Sequence, residues 1–385
     1  MLTARSVAAL LGGLAGIASA CETADPDPSL ALRDPARPGP WEVGVTTLTL
    51  PDGAGPGSSL TVEVWYPAQL PEGAATDVQF GIDTLAVRNA EADLRGAPFP
   101  VIAFSHGNAG IRFQSVYLTR HLASHGYVVL APDHVRNTLF DDDPDRRAEV
   151  LMRRPRDLKN SVDELFARSA APGALLEGLA GVDETRLGVS GHSFGGFTTL
   201  VTAGAAIDLA ALAVTCAADP GALVCSGSDA LTPEGIADLA DPRVRAALAL
   251  APGGRAAFGA AGLAAVTVPI QVQGGTLDGL TTPDAEVTPI FDGLPAPRLL
   301  AMLEGAGHFS FTDICPLYEL LAGPNNPLEF LATEGCGTNT IPIERAHAAS
   351  RTLATAFFDR ELKGLADEHG YTDPARGVAD VLLIE

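Results

Sequence analysis

Ser193, Asp278 and His308 are the residues whose types, order and surroundings could together do chemistry. Ser193 stands in Gly191-His192-Ser193-Phe194-Gly195-Gly196, between a short apolar run at 186–190 and a helix-like stretch at 197–201. A serine on a sharp strand-to-helix turn needs a strained backbone and neighbours without side chains. Such a turn lifts the hydroxyl above a sheet edge. It also leaves the next amide, that of Phe194, at a helix start, where negative charge is favoured. Alone, the motif is equally compatible with an ordinary Gly-Ser turn. Asp278 ends Gly274-Gly275-Thr276-Leu277-Asp278, after an apolar run at 268–273. His308 sits in Glu304-Gly305-Ala306-Gly307-His308-Phe309, after a run at 298–303. A nucleophile, an acid and a base in that chain order, each beyond a strand, form a hydrolytic triad. In this reading His308 takes the Ser193 proton and returns it to a leaving alcohol, while Asp278 orients the imidazole.

Rival residues are weaker. His106 follows the third strand and His134 the fourth, His192 lies inside the turn, and His121, His125, His347 and His369 fall on or beside helices. Asp284, after Pro283, is the serious alternative acid, ahead of Asp292 and Glu304. An oxyanion hole needs two amides, each worth ~3 kcal/mol. The expected pair is Phe194 and Asn108, the latter in His106-Gly107-Asn108, with His106 bracing that loop.

These loops need a scaffold. Two alternating runs, 42–50 and 60–67, predict a β-hairpin. A continuous apolar strand at 101–104, a helical stretch at 114–124 and a second buried strand at 127–131 form a βαβ unit, hence a parallel sheet. The fold class is α/β, with helices on both faces. Residues 136–154 are charged and read as a solvated loop; Asp141, Asp142, Asp143 and Asp145 match no EF-hand spacing. A helix is expected at 158–170. Residues 205–243 break the rhythm with prolines and two cysteines, and read as a cap inserted over the strand ends. Strands at 246–251, 268–273 and 298–303 and a closing helix at 345–363 complete the pattern.

The net charge of −22 argues against nucleic-acid binding and against docking on anionic lipid headgroups. Residues 1–20 read as a signal peptide: Arg5, an apolar run too short to span a membrane, then Ala18-Ser19-Ala20-Cys21. Cys21 is placed for lipidation; the other reading is cleavage after Ala20 with Cys21 unmodified. Residues 21–40 are a proline-rich linker and 41–385 the catalytic domain. Export makes the remaining four cysteines candidates for disulfides, with the short-loop pairs Cys216–Cys225 and Cys315–Cys336 favoured. No cysteine or histidine spacing suggests a metal site.

Phe104-Ser105-His106-Gly107, Gly191-His192-Ser193-Phe194-Gly195-Gly196 and Gly305-Ala306-Gly307-His308-Phe309-Ser310-Phe311 together resemble the platelet-activating-factor acetylhydrolase and dienelactone-hydrolase-like α/β-hydrolases, over most of 41–365. The resemblance implies a serine esterase without a cofactor, acting on short or oxidised acyl chains, with Ser193, Asp278 and His308 as triad and Asn108 and Phe194 as oxyanion donors. The alternatives are a polyester or cutinase-like hydrolase with an open groove, and a non-catalytic binding module on the same fold. A structured lid would favour small esters or lipids; an exposed groove with aromatic walls would favour polymer. A peptidase ranks lower. The expected partners are therefore an ester, lipid or polyester substrate, and a membrane only through an N-terminal anchor.

Overall fold

Strands β1 (Glu42–Pro51) and β2 (Ser59–Gln69) pair antiparallel along their whole length and open the sheet. The computed structural model describes residues 34–51, 59–169, 181–222, 224–259, 261–320 and 328–385. The expected signal peptide and Cys21 lie outside the described residues, as does most of the linker. The parallel strands follow: β3 (Phe99–Ser105), β4 (Val128–Pro132), β5 (Val182–His192), β6 (Val244–Leu250), β7 (Ile270–Gly275) and β8 (Arg298–Leu303). A last strand, β9 (Val381–Ile384), pairs antiparallel with β8. The spatial order is β9-β8-β7-β6-β5-β3-β4-β2-β1, with short strands at Val87–Arg88 and Glu91–Ala92 beside β1 and β2. β3 and β4 are buried at every residue, as strands covered on both faces must be.

Two core clusters lie on the two sides of the sheet. One packs helices α1 (Val116–Ser124) and α8 (Ile343–Lys363) through Leu118, Leu122, Phe357 and Phe358. The other packs α2 (Arg147–Ser169), α3 (Phe194–Thr202) and α6 (Thr288–Gly293) through Leu158, Leu165, Phe197 and Phe291. Each such fully buried side chain contributes roughly 2–3 kcal/mol. This double cover forces every connecting loop to the strand ends. Ser193, Asn108, Asp278 and His308 follow the C-terminal ends of β5, β3, β7 and β8, so parallel pairing alone brings them to one edge.

Two expectations need correction. The charged stretch 136–154 is not all solvated loop, because α2 begins at Arg147. Ala148, Leu151, Leu158, Val162 and Leu165 recur at helical spacing and are buried, while most charges take the other face. Arg147, Arg154 and Asp157 are the exceptions and are buried, Arg154 with no exposure. The four aspartates expected in that loop are largely engaged: Asp141 accepts from Arg136 and Thr138, Asp142 pairs with Arg147, and Asp143 caps a short turn.

The second correction concerns 205–243. It leaves α3 at the far end of the sheet, forms α4 (Leu209–Ala218) and α5 (Pro233–Ile236), and packs along α2 and α3. Ser226 accepts from the Ala148 amide, Arg156 reaches Asp238, and Asp241 donates its amide to Thr202. Among the described residues, no hydrogen bond or ring contact joins this segment to Ser193, Asp278 or His308. It is a flank on the helical layer, because its apolar residues Leu212, Val224 and Leu239 are buried in the α2–α3 core. Cys216 and Cys225 are bonded within it. Cys315 and Cys336 form the second disulfide, joining α7 (Cys315–Leu320) to a turn at Glu329–Ala332 and the residues after it.

Candidate active site

The turn after β5 carries Ser193 at φ 58° and ψ −117°, a conformation that side chains rarely adopt. Packing holds it there. Ser193 donates its amide to Leu250 at the end of β6, 2.9 Å away, and accepts from Phe197. The flanking glycines are sterically obligatory: a Cβ on Gly191 would stand 2.4 Å from the Gly195 oxygen, and one on Gly195 would stand 1.9 Å from the Ser105 oxygen. Ser193 is half-buried, whereas its neighbours are buried.

Asp278 and His308 meet on the adjoining loops. His308 Nδ1 lies 2.8 Å from Asp278 Oδ2 and 3.1 Å from Thr281 Oγ1. Asp278 Oδ1 accepts from the amides of Leu280 (2.9 Å) and Thr281 (2.7 Å). Burial pushes the Asp278 carboxyl up, but the His308 hydrogen bond and charge and the Thr281 contacts outweigh it, and the group is held below the usual carboxylate range. It is an anion, so His308 donates from Nδ1 and keeps Nε2 as an acceptor. The rival acids Asp284, Asp292 and Glu304 are all exposed.

His192 ties His308 to the turn at Ser193 and to the loop after β3. Gln114 Oε1 accepts from the Gly107 amide (2.8 Å), so Gln114 Nε2 donates to His192 Nδ1 (2.8 Å). His192 must then carry its proton on Nε2, which it donates to the His308 carbonyl at 2.8 Å. The two imidazoles stand 4.6 Å apart. Burial, then the charge on His308, pushes His192 down to about 3, so it stays neutral.

The loop after β3 is also strained, with Ala109 at φ 52°. Among the described residues, neither the Asn108 amide nor the Phe194 amide finds an acceptor in the protein. Asn137 donates to the Asn108 side chain at 2.9 Å. His106 accepts from the His134 amide on Nε2, so its Nδ1 donates to the Gly107 carbonyl (2.7 Å). The other histidines stand apart from Ser193. His121 and His125 donate from Nε2 to the Pro35 and Arg37 carbonyls, His347 stacks on Tyr117, and His369 stacks on Tyr371.

Several participants carry no motif. Gln114 and Thr281 each join two parts of the site. Glu334 accepts from the amides of Gly279 (3.2 Å) and His308 (3.3 Å), bracing the loops of both Asp278 and His308 from beside the Cys315–Cys336 bond. Arg154 is buried beneath Phe194, 4.9 Å from its ring centre. Only the helical periodicity of apolar residues through 148–165 could have shown that Arg154 faces the interior.

A cleft of about 90 Å³ opens beside Asn108 and Gly110, walled by Phe80, Ile111, Leu139 and Phe309. Phe309 follows His308, and the two rings lie 5.1 Å apart. Phe80 caps a small hairpin (Val78–Gln79 with Ile82–Asp83). It sits 5.4 Å from the ring of Phe140, and Phe309 sits 5.7 Å from that of Phe330. Phe80, Leu139, Phe140 and Phe330 are each about half exposed or more, so the rim is apolar and open.

Residues 82–217 match the dienelactone hydrolase family. A cutinase of Thermobifida alba, Cutinase est2, is 29% identical over 217 residues, covering 55% of this chain and 53% of that protein. The chain thus matches about half the length of that curated relative. A ferulic acid esterase from Streptomyces cinnamoneus has a similar structure, with a TM-score of 0.62 and 25% identity. The similarity covers 90% of this chain and 97% of that one.

Proposed function

We propose that this chain, an α/β-hydrolase of the dienelactone-hydrolase-like group, hydrolyses carboxylic esters through an acyl-enzyme on Ser193. The observation that carries the reading is a strained, half-exposed serine on the sheet edge that also carries a buried His308–Asp278 pair and two uncommitted amides. His308 Nε2 takes the Ser193 proton as Oγ bonds to the ester carbonyl carbon. The carbonyl oxygen becomes an oxyanion and accepts from Phe194 and Asn108. Collapse expels the alcohol, which takes the proton from His308. Water then repeats the sequence: His308 takes its proton, hydroxide adds to the acyl carbon, and Ser193 leaves reprotonated.

The apolar, aromatic rim favours esters with an extended or aromatic part over small acetylated lipids. That supports the cutinase-like alternative over a preference for short or oxidised acyl chains, in keeping with the similarity to a cutinase and a ferulic acid esterase. The intact acid–base pair speaks against a non-catalytic binding module. Two disulfides support export, with Cys21 or the cleaved terminus following a signal sequence.

The test is turnover of p-nitrophenyl esters of increasing acyl length, and of aryl esters, beside a polyester film. Ser193→Ala should abolish all of it while the protein stays folded. Retained turnover in that variant refutes the assignment. Faster turnover of acetate than of every bulkier ester, with the film untouched, refutes the open-cleft preference.

A further inference from the structure

We propose that Arg154 is a positioning residue for the oxyanion loop, held in register by a second, buried Ser–His–Asp chain formed by Ser105, His134 and Asp157. The proposal rests on the reading of Phe194 and Asn108 as donors to the reacting carbonyl oxygen. Arg154 reaches from α2 to both halves of that site. Its Nε donates to Thr198 Oγ1 in α3 at 3.1 Å, and its guanidinium lies under the Phe194 ring. Its Nη2 donates to the His106 carbonyl and, at 3.0 Å, to Ser105 Oγ at the end of β3. Its Nη1 donates to Asn137 Oδ1, and Asn137 in turn holds the Asn108 side chain.

The proton positions in the second chain follow from the donors. A carboxylate only accepts, so His134 donates from Nδ1 to Asp157 Oδ2 at 3.0 Å and keeps Nε2 as an acceptor. Ser105 Oγ then gives its hydrogen to His134 Nε2, 2.9 Å away, and accepts from Arg154. Cation and carboxylate are thus joined through two neutral groups, and Asp157 also pairs with Arg153 at 3.5 Å. The chain copies the bonding order of a triad, but Ser105 and His134 have no exposure, so no substrate can reach them. Their part is to fix where the guanidinium points.

A buried cation is costly, and an apolar residue of similar volume would serve packing as well or better. What an apolar residue could not do is hold the His106 carbonyl, Asn137 and α3 in one fixed arrangement, or place positive charge under the Phe194 ring. Both effects act on the oxyanion and much less on the bound ester, which is how a group behind an oxyanion hole raises kcat rather than affinity.

The test compares Arg154→Met and Arg154→Lys with the native protein on p-nitrophenyl acetate, following kcat, KM, the Kd of phenylboronic acid as oxyanion mimic, and the thermal midpoint. Arg154→Met should lower kcat about 30–100-fold with KM within about twofold, and weaken boronate binding in parallel. Arg154→Lys keeps the charge but loses the fork, and should recover part of kcat. A folded Arg154→Met protein with native kcat and boronate affinity overturns the proposal, as does a loss confined to KM. If Arg154→Met does not fold, Asn137→Ser cuts the link that joins Arg154 and Asp142 to the Asn108 side chain and should lower kcat about fivefold to tenfold in protein that stays folded; native kcat there overturns it. Ser193→Ala separates the two readings. Turnover retained in Ser193→Ala defeats the esterase assignment itself, whereas a dead Ser193→Ala with native kcat in the Arg154 variants defeats only the role of Arg154.

Discussion

Replacing Asp278 by asparagine removes one charge and, through the geometry of its loop, reverses a proton. The Oδ1 atom accepts two backbone amides, from Leu280 and Thr281. An asparagine must keep its carbonyl oxygen there, since an amide nitrogen would face two N–H donors in a buried place. Its NH₂ then points at His308 Nδ1, where Asp278 Oδ2 now accepts at 2.8 Å. His308 is forced to accept on Nδ1 and to carry its hydrogen on Nε2, so it can no longer take the Ser193 proton. A wrong tautomer at this position costs about 10,000-fold in kcat, or ~5.5 kcal/mol of transition-state stabilisation. The oxygen that accepts from both amides is kept, so the fold is retained. Steady-state kcat on p-nitrophenyl acetate, with circular dichroism as the fold control, measures this directly. Asp284→Asn, at an exposed position, is the paired control and should stay within about twofold. A loss below tenfold in Asp278→Asn, or a larger loss in Asp284→Asn, refutes the proton argument and the choice of acid.

Phe80→Ala should lower kcat/KM for aryl or long-chain esters about fivefold, or ~1 kcal/mol of apolar contact, and leave acetate nearly unchanged; equal losses on both would show that Phe80 supports the fold and not the substrate. Cys336→Ser opens a disulfide closing a separation of 21 residues, and should cost about 3 kcal/mol in denaturant titration. It should also lower kcat, because Glu334 braces His308 from the same segment; an unchanged kcat would disconnect the two. Mild acid should destabilise the fold. His106, His121, His134, His192 and His347 are each pushed below their ordinary value, by burial first. The folded state keeps them neutral while the unfolded chain binds protons below about pH 6.5, so stability falls as pH falls through that point. At pH 5.5 each costs on the order of 1 kcal/mol, so the loss relative to pH 8 is several kcal/mol in all. Asp313, pushed up to about 7 by burial, runs the other way and returns about 2 kcal/mol. Urea midpoints at pH 8 and 5.5 check the net loss, and equal midpoints would refute it.

The chain order of the strands, the turn at Ser193, and the loops carrying Asp278 and His308 are legible in the residues themselves. These are local properties. Apolar runs flanked by turn glycines mark buried strands, and a parallel sheet can only present its connecting loops at the strand ends. β8 falls where the run 298–303 predicts it, and α8 begins two residues before the expected 345. The exposed rivals Asp284, Asp292 and Glu304 could not be set aside from spacing, because burial depends on what packs from elsewhere. Tertiary structure alone decided the rest. The segment 205–243 flanks α2 and α3 because its apolar residues complete that core, a fact no run of sequence states. The inward turn of Arg154, the bridge from Gln114 through His192 to the His308 carbonyl, and the Glu334 brace join residues 26 to 116 positions apart. Hydrogen bonds of that span leave no periodicity and no motif. They exist only once the sheet has fixed the loops within reach of one another, and they set the direction in which each proton points.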